Sequence, residues 1–183
     1  MRITSGILKN RCIITKDLDF RPTMESVREA IFSSLKGSFV NAKFLDLYAG
    51  SGSIGLEAWS RGARNVYFVE KQKVLVELLV KNINSFQQKE LGETFVNCTD
   101  ALDWLNKTDD KFDIVFVDPP YSLIEDFQII LNTIYNSSIL TSNSILIYEI
   151  RKKSKINLDN KWNLLRERNY GKTKVLFLKK DMK

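Results

Sequence analysis

The chain alternates short, continuously apolar runs with segments whose apolar residues recur every three or four positions. Phe44-Leu45-Asp46-Leu47-Tyr48 predicts a buried strand, and Asn65 to Glu70 predicts the next. Thr94 to Cys98 is a weaker third, Phe112 to Val117 a fourth and Ser144 to Ile150 a fifth. Strands apolar on successive residues belong to parallel sheets covered on both faces. Between them, a helix is expected from Ser53, ending at Gly62 as a C′ glycine. A second spans about Gln72 to Gln87, with Val74, Leu75, Leu78, Leu79, Asn82, Ile83 and Phe86 on one stripe. A short one covers Ala101 to Asn106, and a fourth covers Leu123 to Tyr135 with Phe127, Ile130, Leu131 and Ile134 inward. This alternation predicts an α/β fold with a doubly wound, Rossmann-like sheet.

The two ends depart from that rhythm. Trp162 to Arg168 and Lys174 to Lys179 are strand-like runs joined by Asn169-Tyr170-Gly171-Lys172, which predicts an antiparallel pair at one edge of the sheet. Arg21-Pro22-Thr23 opens a helix with Thr23 as N-cap and Val27, Ala30, Ile31 and Leu35 as its stripe. Residues 3–20 read as a small extended arm of β character. The expected organisation is an N-terminal extension over residues 1–36 and one main domain over residues 37–183.

Composition narrows the chemistry. Histidine is absent, which removes the usual general base and the commonest metal ligand, so His-dependent triads and zinc chemistry are disfavoured and no metal is expected. Cys12 and Cys98 make no metal-ligand spacing, and a reduced, cytoplasmic protein is the simplest expectation. No apolar run approaches the ~20 residues needed to span a bilayer, and the first six residues lack the apolar stretch of a signal peptide. Nothing in the sequence requires more than a monomer. The net charge of +6 is unevenly spread. Residues 1–36 carry seven Lys and Arg against four acidic residues, residues 37–150 nine against fifteen, and residues 151–183 twelve against three. An acidic middle suits a cationic ligand, while basic ends suit a polyanion.

The acidic residues fall at the ends of strands. Asp46-Leu47-Tyr48-Ala49-Gly50-Ser51-Gly52-Ser53-Ile54-Gly55 links the first strand directly to its helix, and Glu70 ends the second strand. Glycine-rich turns let backbone approach a ligand closely, and a carboxylate ending the second strand accepts ribose hydroxyls. The glycine pattern alone fits a nicotinamide site equally well. Asp46 tips the balance, because its carboxylate suits the ammonium of S-adenosylmethionine and suits a pyrophosphate poorly. After the third strand, Asp100 can accept from the adenine amine of such a cofactor, although Asp is also a common N-cap.

Asp118-Pro119-Pro120-Tyr121 stands at the carboxyl end of the fourth strand, where open α/β sheets hold their ligands. An exocyclic base amine is a poor nucleophile because its lone pair is delocalised into the ring. Asp118 and the carbonyl of Pro119 can both accept hydrogen bonds from that amine and free the lone pair, while the prolines preorganise the two acceptors. Tyr121 offers a stacking face, a contact typically worth about 1–3 kcal/mol per base.

These motifs, in this order, resemble class I methyltransferases acting on amino groups. Met1-Arg2-Ile3, Ser5-Gly6, Lys9-Asn10-Arg11 and Arg21-Pro22-Thr23 followed by Val27-Arg28-Glu29-Ala30-Ile31-Phe32 narrow the resemblance to the RsmD family of bacterial 16S rRNA guanine-N2 methyltransferases. Leu56-Glu57-Ala58, Ser60-Arg61-Gly62-Ala63 and Tyr170-Gly171 with Thr173 are similar to that family as well, so the likeness covers nearly the whole chain. It implies S-adenosylmethionine as cofactor, lined by Asp46, Tyr48, Ala49, Gly50, Ser51, Gly52, Glu70, Lys71, Asp100 and Ala101. It implies that Asp118, Pro119, Pro120 and Tyr121 hold the guanine amine, and that Arg2, Lys9, Arg11 and Arg21 face 16S rRNA in the small ribosomal subunit.

Three other readings compete. A DNA adenine-N6 or cytosine-N4 methyltransferase shares the tetrapeptide, but the segment after Tyr121 is too short for a sequence-reading domain. An oxidoreductase leaves Asp118 to Tyr121 unexplained. A non-catalytic RNA-binding protein does not account for the carboxylates of the middle.

Overall fold

The computed structural model describes residues 1–15, 25–120, 127–154 and 156–181. The apolar runs form five parallel strands, β1 (Lys43–Leu47), β2 (Asn65–Glu70), β3 (Glu93–Cys98), β4 (Phe112–Val117) and β5 (Leu140–Arg151). The C-terminal runs form β6 (Trp162–Tyr170) and β7 (Thr173–Lys180). Together they build one seven-stranded sheet in the order β3-β2-β1-β4-β5-β7-β6. β7 enters antiparallel beside β5, and β6 pairs antiparallel with β7 at the edge. The chain reverses its direction of winding between β1 and β4, a switch point at whose carboxyl ends open α/β sheets hold their ligands.

Among the described residues, five helices cover the sheet: α1 (Glu25–Ser34), α2 (Ser53–Ser60), α3 (Lys73–Phe86), α4 (Ala101–Leu105) and α5 (Phe127–Asn136). On one face Phe44, Phe68, Phe116 and Ile147 pack with α1, α2, α3 and the N-terminal arm. On the other, Leu45, Val69, Val117 and Tyr148 pack with α4 and α5. The strand runs are therefore apolar at both parities because both faces are buried. Every residue of α2 is buried, since the arm and α1 close over its outer side.

Several expectations shift. β5 begins at Leu140, four residues early, because Phe112 pairs with Leu140 before a register shift and Ser144 Oγ donates to the Phe112 carbonyl at 2.6 Å. That polar stretch carries no apolar alternation, so pattern alone misses it. The start of α1 and its Thr23 cap lie outside the described residues, as do Leu123 to Asp126 before α5. Val74 is 46% exposed, whereas Leu75, Leu79, Asn82, Ile83 and Phe86 are buried as expected. It sits in the first turn of α3, at the rim of the stripe. The arm is less extended than its composition implies: it folds back through a turn closed by one bridge, Arg2 to Cys12. Its Ile3, Leu8 and Ile13 enter the core, and Ile7 N–H donates to the Ser60 carbonyl at 2.7 Å.

Candidate active site

The loop after β1 is folded by backbone groups that bind its own acids. Tyr48 takes a left-handed φ of 61°, uncommon for an aromatic residue, and turns the chain out of the strand. Ala49 N–H then reaches the Val69 carbonyl at 3.0 Å, and Gly50 N–H reaches Glu70 Oε2 at 2.9 Å. Glu70 Oε1 accepts from Gln72 N–H at 2.8 Å, so this buried carboxylate ties two loops together at the end of β2. Its remaining lone pairs are free to accept from a ligand, since a carboxylate offers about four acceptor sites. Gly52, at φ 77°, caps α2, and a Cβ there would stand 2.3 Å from Leu79 Cδ1. The tight turn and the close packing on α3 both demand glycine. Ser51 is buried in the same loop.

Asp46 is almost fully buried in β1 and, among the described residues, accepts one hydrogen bond, from Gly55 N–H at 2.8 Å. Burial outweighs that bond and pushes its carboxyl up to about 8, with Glu70 adding repulsion. Asp118 follows β4, half-buried, with Pro119 buried behind it and Pro120 exposed. Burial, then the negative neighbours Glu149 and Asp46, hold its carboxyl well above the usual carboxylate range. Glu149 is the member of this group that sequence reading passed over. The Val117–Tyr148 register puts it beside Asp118 on adjacent strands. Its signal was visible, a lone acid within an otherwise apolar strand.

Pleating turns Asp46, Glu70, Asp118 and Glu149 to one side of the sheet. Phe44, Phe68, Phe116 and Ile147 lie two residues before a member of the set or share its parity, and all face the α2 and α3 core. Four carboxylates thus line the carboxyl ends of β2, β1, β4 and β5. Across β3, Asp100 caps α4 by accepting from Leu102 N–H at 2.9 Å and pairs with exposed Lys71 at 3.7 Å. Ala101 is buried just behind. Tyr121 and Arg21 fall outside the described residues.

The basic residues assigned to the arm do not join this group. Arg2 and Lys9 are exposed. Arg11 donates to the Ser85 carbonyl at 2.7 Å and lies over the Phe86 ring at 5.3 Å. Those partners end α3, whose 14 residues carry the chain about 20 Å from the carboxyl edge.

The winding order, the loop after β1 and the row of carboxylates define a class I methyltransferase. A family model described as Conserved hypothetical protein 95 matches residues 1–179, and the chain belongs to this family, the RsmD family. It is 37% identical over 172 residues to Ribosomal RNA small subunit methyltransferase D of Buchnera aphidicola from Acyrthosiphon pisum, covering 91% of this chain and 86% of that protein. The protein of the same name from Escherichia coli K12 is 30% identical over 175 residues, covering 93% and 85%. The solved structure of yhhF from Escherichia coli superposes with a TM-score of 0.87 at 26% identity, covering 100% of this chain and 99% of that one.

The cofactor of this class is S-adenosylmethionine, and the residues present suit it. Asp46 is a buried acid with a single backbone donor, so a cation placed beside it relieves a real electrostatic cost. A pyrophosphate would instead meet four carboxylates.

Proposed function

We propose that this protein methylates the exocyclic N2 amine of a guanine in 16S rRNA. The observation that carries the reading is the Asp118-Pro119 pair at the end of β4, set beside Asp46 and Glu149 on one side of the sheet. The rRNA substrate follows from the relatives' names, and the choice of N2 follows from the RsmD resemblance. Asp46, Glu70, Asp100 and the loop from Tyr48 to Gly52, with Lys71 and Ala101 flanking, form the proposed cofactor set. In a polymer substrate the target base is presented by its own fold, so it can be selected by shape.

Bound S-adenosylmethionine supplies an electrophilic methyl group. The chain's own residues prepare the amine. The Asp118 carboxylate and the Pro119 carbonyl accept its two N–H bonds and bring its lone pair out of the ring. The amine gives up one proton when it takes the methyl group, and the Asp118 carboxylate would be the acceptor for it. Burial, and after it the negative neighbours Glu149 and Asp46, raise Asp118 above the ordinary range, which makes its ionised form a better base for that proton. Turnover should therefore rise with pH through that elevated ionisation.

The test is transfer of labelled methyl to 16S rRNA and small subunits from cells lacking this enzyme, with genomic DNA alongside. N2-methylguanosine recovered after nuclease digestion is the expected product. Label in adenine or cytosine of DNA would overturn the rRNA assignment.

A further inference from the structure

The strongly basic C-terminal segment is built into the sheet, and the register fixes where its charge lies. β7 runs antiparallel to β5, with Arg151 opposite Thr173 and Ile150 opposite Lys174. The turn between β6 and β7 therefore stands at the carboxyl edge of the sheet, the same edge as Asp118. Tyr170 pairs with Thr173, which leaves Gly171 and Lys172 as a two-residue turn. Gly171 has a φ of 56°, and a side chain there would meet nothing within 4 Å, so glycine serves the turn geometry alone. Lys152 N–H donates to the Lys172 carbonyl at 2.8 Å, fastening the end of β5 to the turn.

This edge displays exposed Arg151, Lys152, Lys153, Arg168 and Lys172. Among the described residues, the ammonium groups of Lys152, Lys153 and Lys172 enter no ion pair. The other end of the hairpin differs. There Lys180 donates to the Tyr135 carbonyl at 2.6 Å and sits over its ring, and Lys161 pairs with Asp159. At a strand spacing of about 4.8 Å, β7 and β6 lie two and three strands from Asp118, or roughly 10–15 Å. The arm's Arg11 is already spent on Ser85 and Phe86 at the far end of α3.

We infer that the β6–β7 turn, with the end of β5, is the surface on which the substrate RNA's phosphates dock while the target base enters beside Asp118. The inference rests on the rRNA reading above and locates the contact that reading requires. Unpaired lysines held on a ladder of backbone bonds need no rearrangement to meet a phosphate row, and they stand at the carboxyl end of β5, on the same edge as Asp118. The acidic row repels the RNA backbone from the cofactor, so a cationic rim beside it steers the strand while one base crosses.

The experiment is equilibrium binding of 16S rRNA and of small subunits across a salt series, comparing wild type, K152Q/K172Q and the arm variant K9Q/R11Q. Loss of two phosphate contacts should weaken binding by about tenfold and flatten the slope of log affinity against log salt by about 1.4–1.8. The cofactor dissociation constant should not change, and the arm variant should lose less than about threefold in the same assay. Unchanged affinity and slope in K152Q/K172Q, in a wild-type protein that binds and methylates rRNA, overturns the docking surface alone. An equal or larger loss in the arm variant moves docking to the arm and overturns it as well. Wild-type protein that binds cofactor but neither binds nor methylates rRNA overturns the functional reading together with the inference.

Discussion

Two groups of buried charge sit on the same side of the sheet and behave in opposite ways. At the outer side of α2, Glu57 is fully buried yet saturated with donors. Thr4 N–H and Oγ1 reach it at 2.9 and 2.6 Å, Ser5 N–H at 3.1 Å and Arg61 Nε at 2.8 Å. Arg28, itself buried, stands 3.8 Å away and donates to the Arg2 carbonyl at 2.6 Å. Burial lowers the Arg28 pKa and Glu57 works to raise it again. This knot joins the arm, α1 and α2, with the two arginines sharing the one carboxylate. At the carboxyl edge, Asp46, Glu70, Asp118 and Glu149 are same-sign neighbours, and burial drives Asp46 and Asp118 toward the protonated form. Compensated burial holds a fold together, whereas uncompensated burial keeps free energy in reserve for a ligand that brings the missing charge.

The largest expected effect breaks the compensated side. Glu57→Ala leaves Arg28 and Arg61 without their acid and should cost about 3–5 kcal/mol. In thermal unfolding that is a drop of roughly 10 °C for a domain of this size. A melting temperature within a degree of wild type would mean the knot contributes nothing.

Asp118→Ala should do the reverse. Losing a preorganised acceptor is expected to lower turnover by about 10²–10³-fold. Removing one of several crowded negative charges should leave the melting temperature unchanged or raised at pH 8. Full activity in this variant would remove Asp118 from the chemistry, and a large fall in stability would contradict the contrast between the two groups.

The smallest effect is a slope. The ordinary Asp value is 3.8, and the folded protein holds Asp46 up to about 8. Between those values the folded state keeps a proton that the unfolded state has released, so stability in the absence of cofactor falls as pH rises through that window. Asp46→Asn should flatten the fall by at most about 1.4 kcal/mol per pH unit, the limit for one proton. Cofactor binding should show the mirror image, tightening from pH 6 to 8 in wild type and losing that trend in the variant. Calorimetric titration at several pH values measures both.

Much of the candidate site was legible because strand ends and turns are local. The glycine loop, Glu70, Asp100 and Asp118-Pro119-Pro120 each sit at a junction that the apolar pattern already marks, and a parallel sheet brings such junctions to one edge. Glu149 escaped because its meaning depends on its neighbour: only the β4–β5 register sets it beside Asp118. Glu57 escaped for a related reason, since a charged residue on a short helix reads as solvent-facing until the arm closes over it. Arg11 was assigned to the RNA side by the family resemblance, and only the folded chain shows that the end of α3 supplies a carbonyl and a ring for its guanidinium.

What the sequence by itself determined was the set of elements, the fold class and which acids stand at the strand ends. Those depend on periodicity and on residues a few positions apart, and the chain cannot hide them. What only the tertiary structure decided was which charges meet. β7 slots between β5 and β6, and that single choice carries the basic hairpin turn to the carboxyl edge of the sheet. The arm's bridge and the Glu57 knot likewise turn surface-like residues into core. Electrostatic energy depends on separation in space and on burial, and neither is a property of position along the chain.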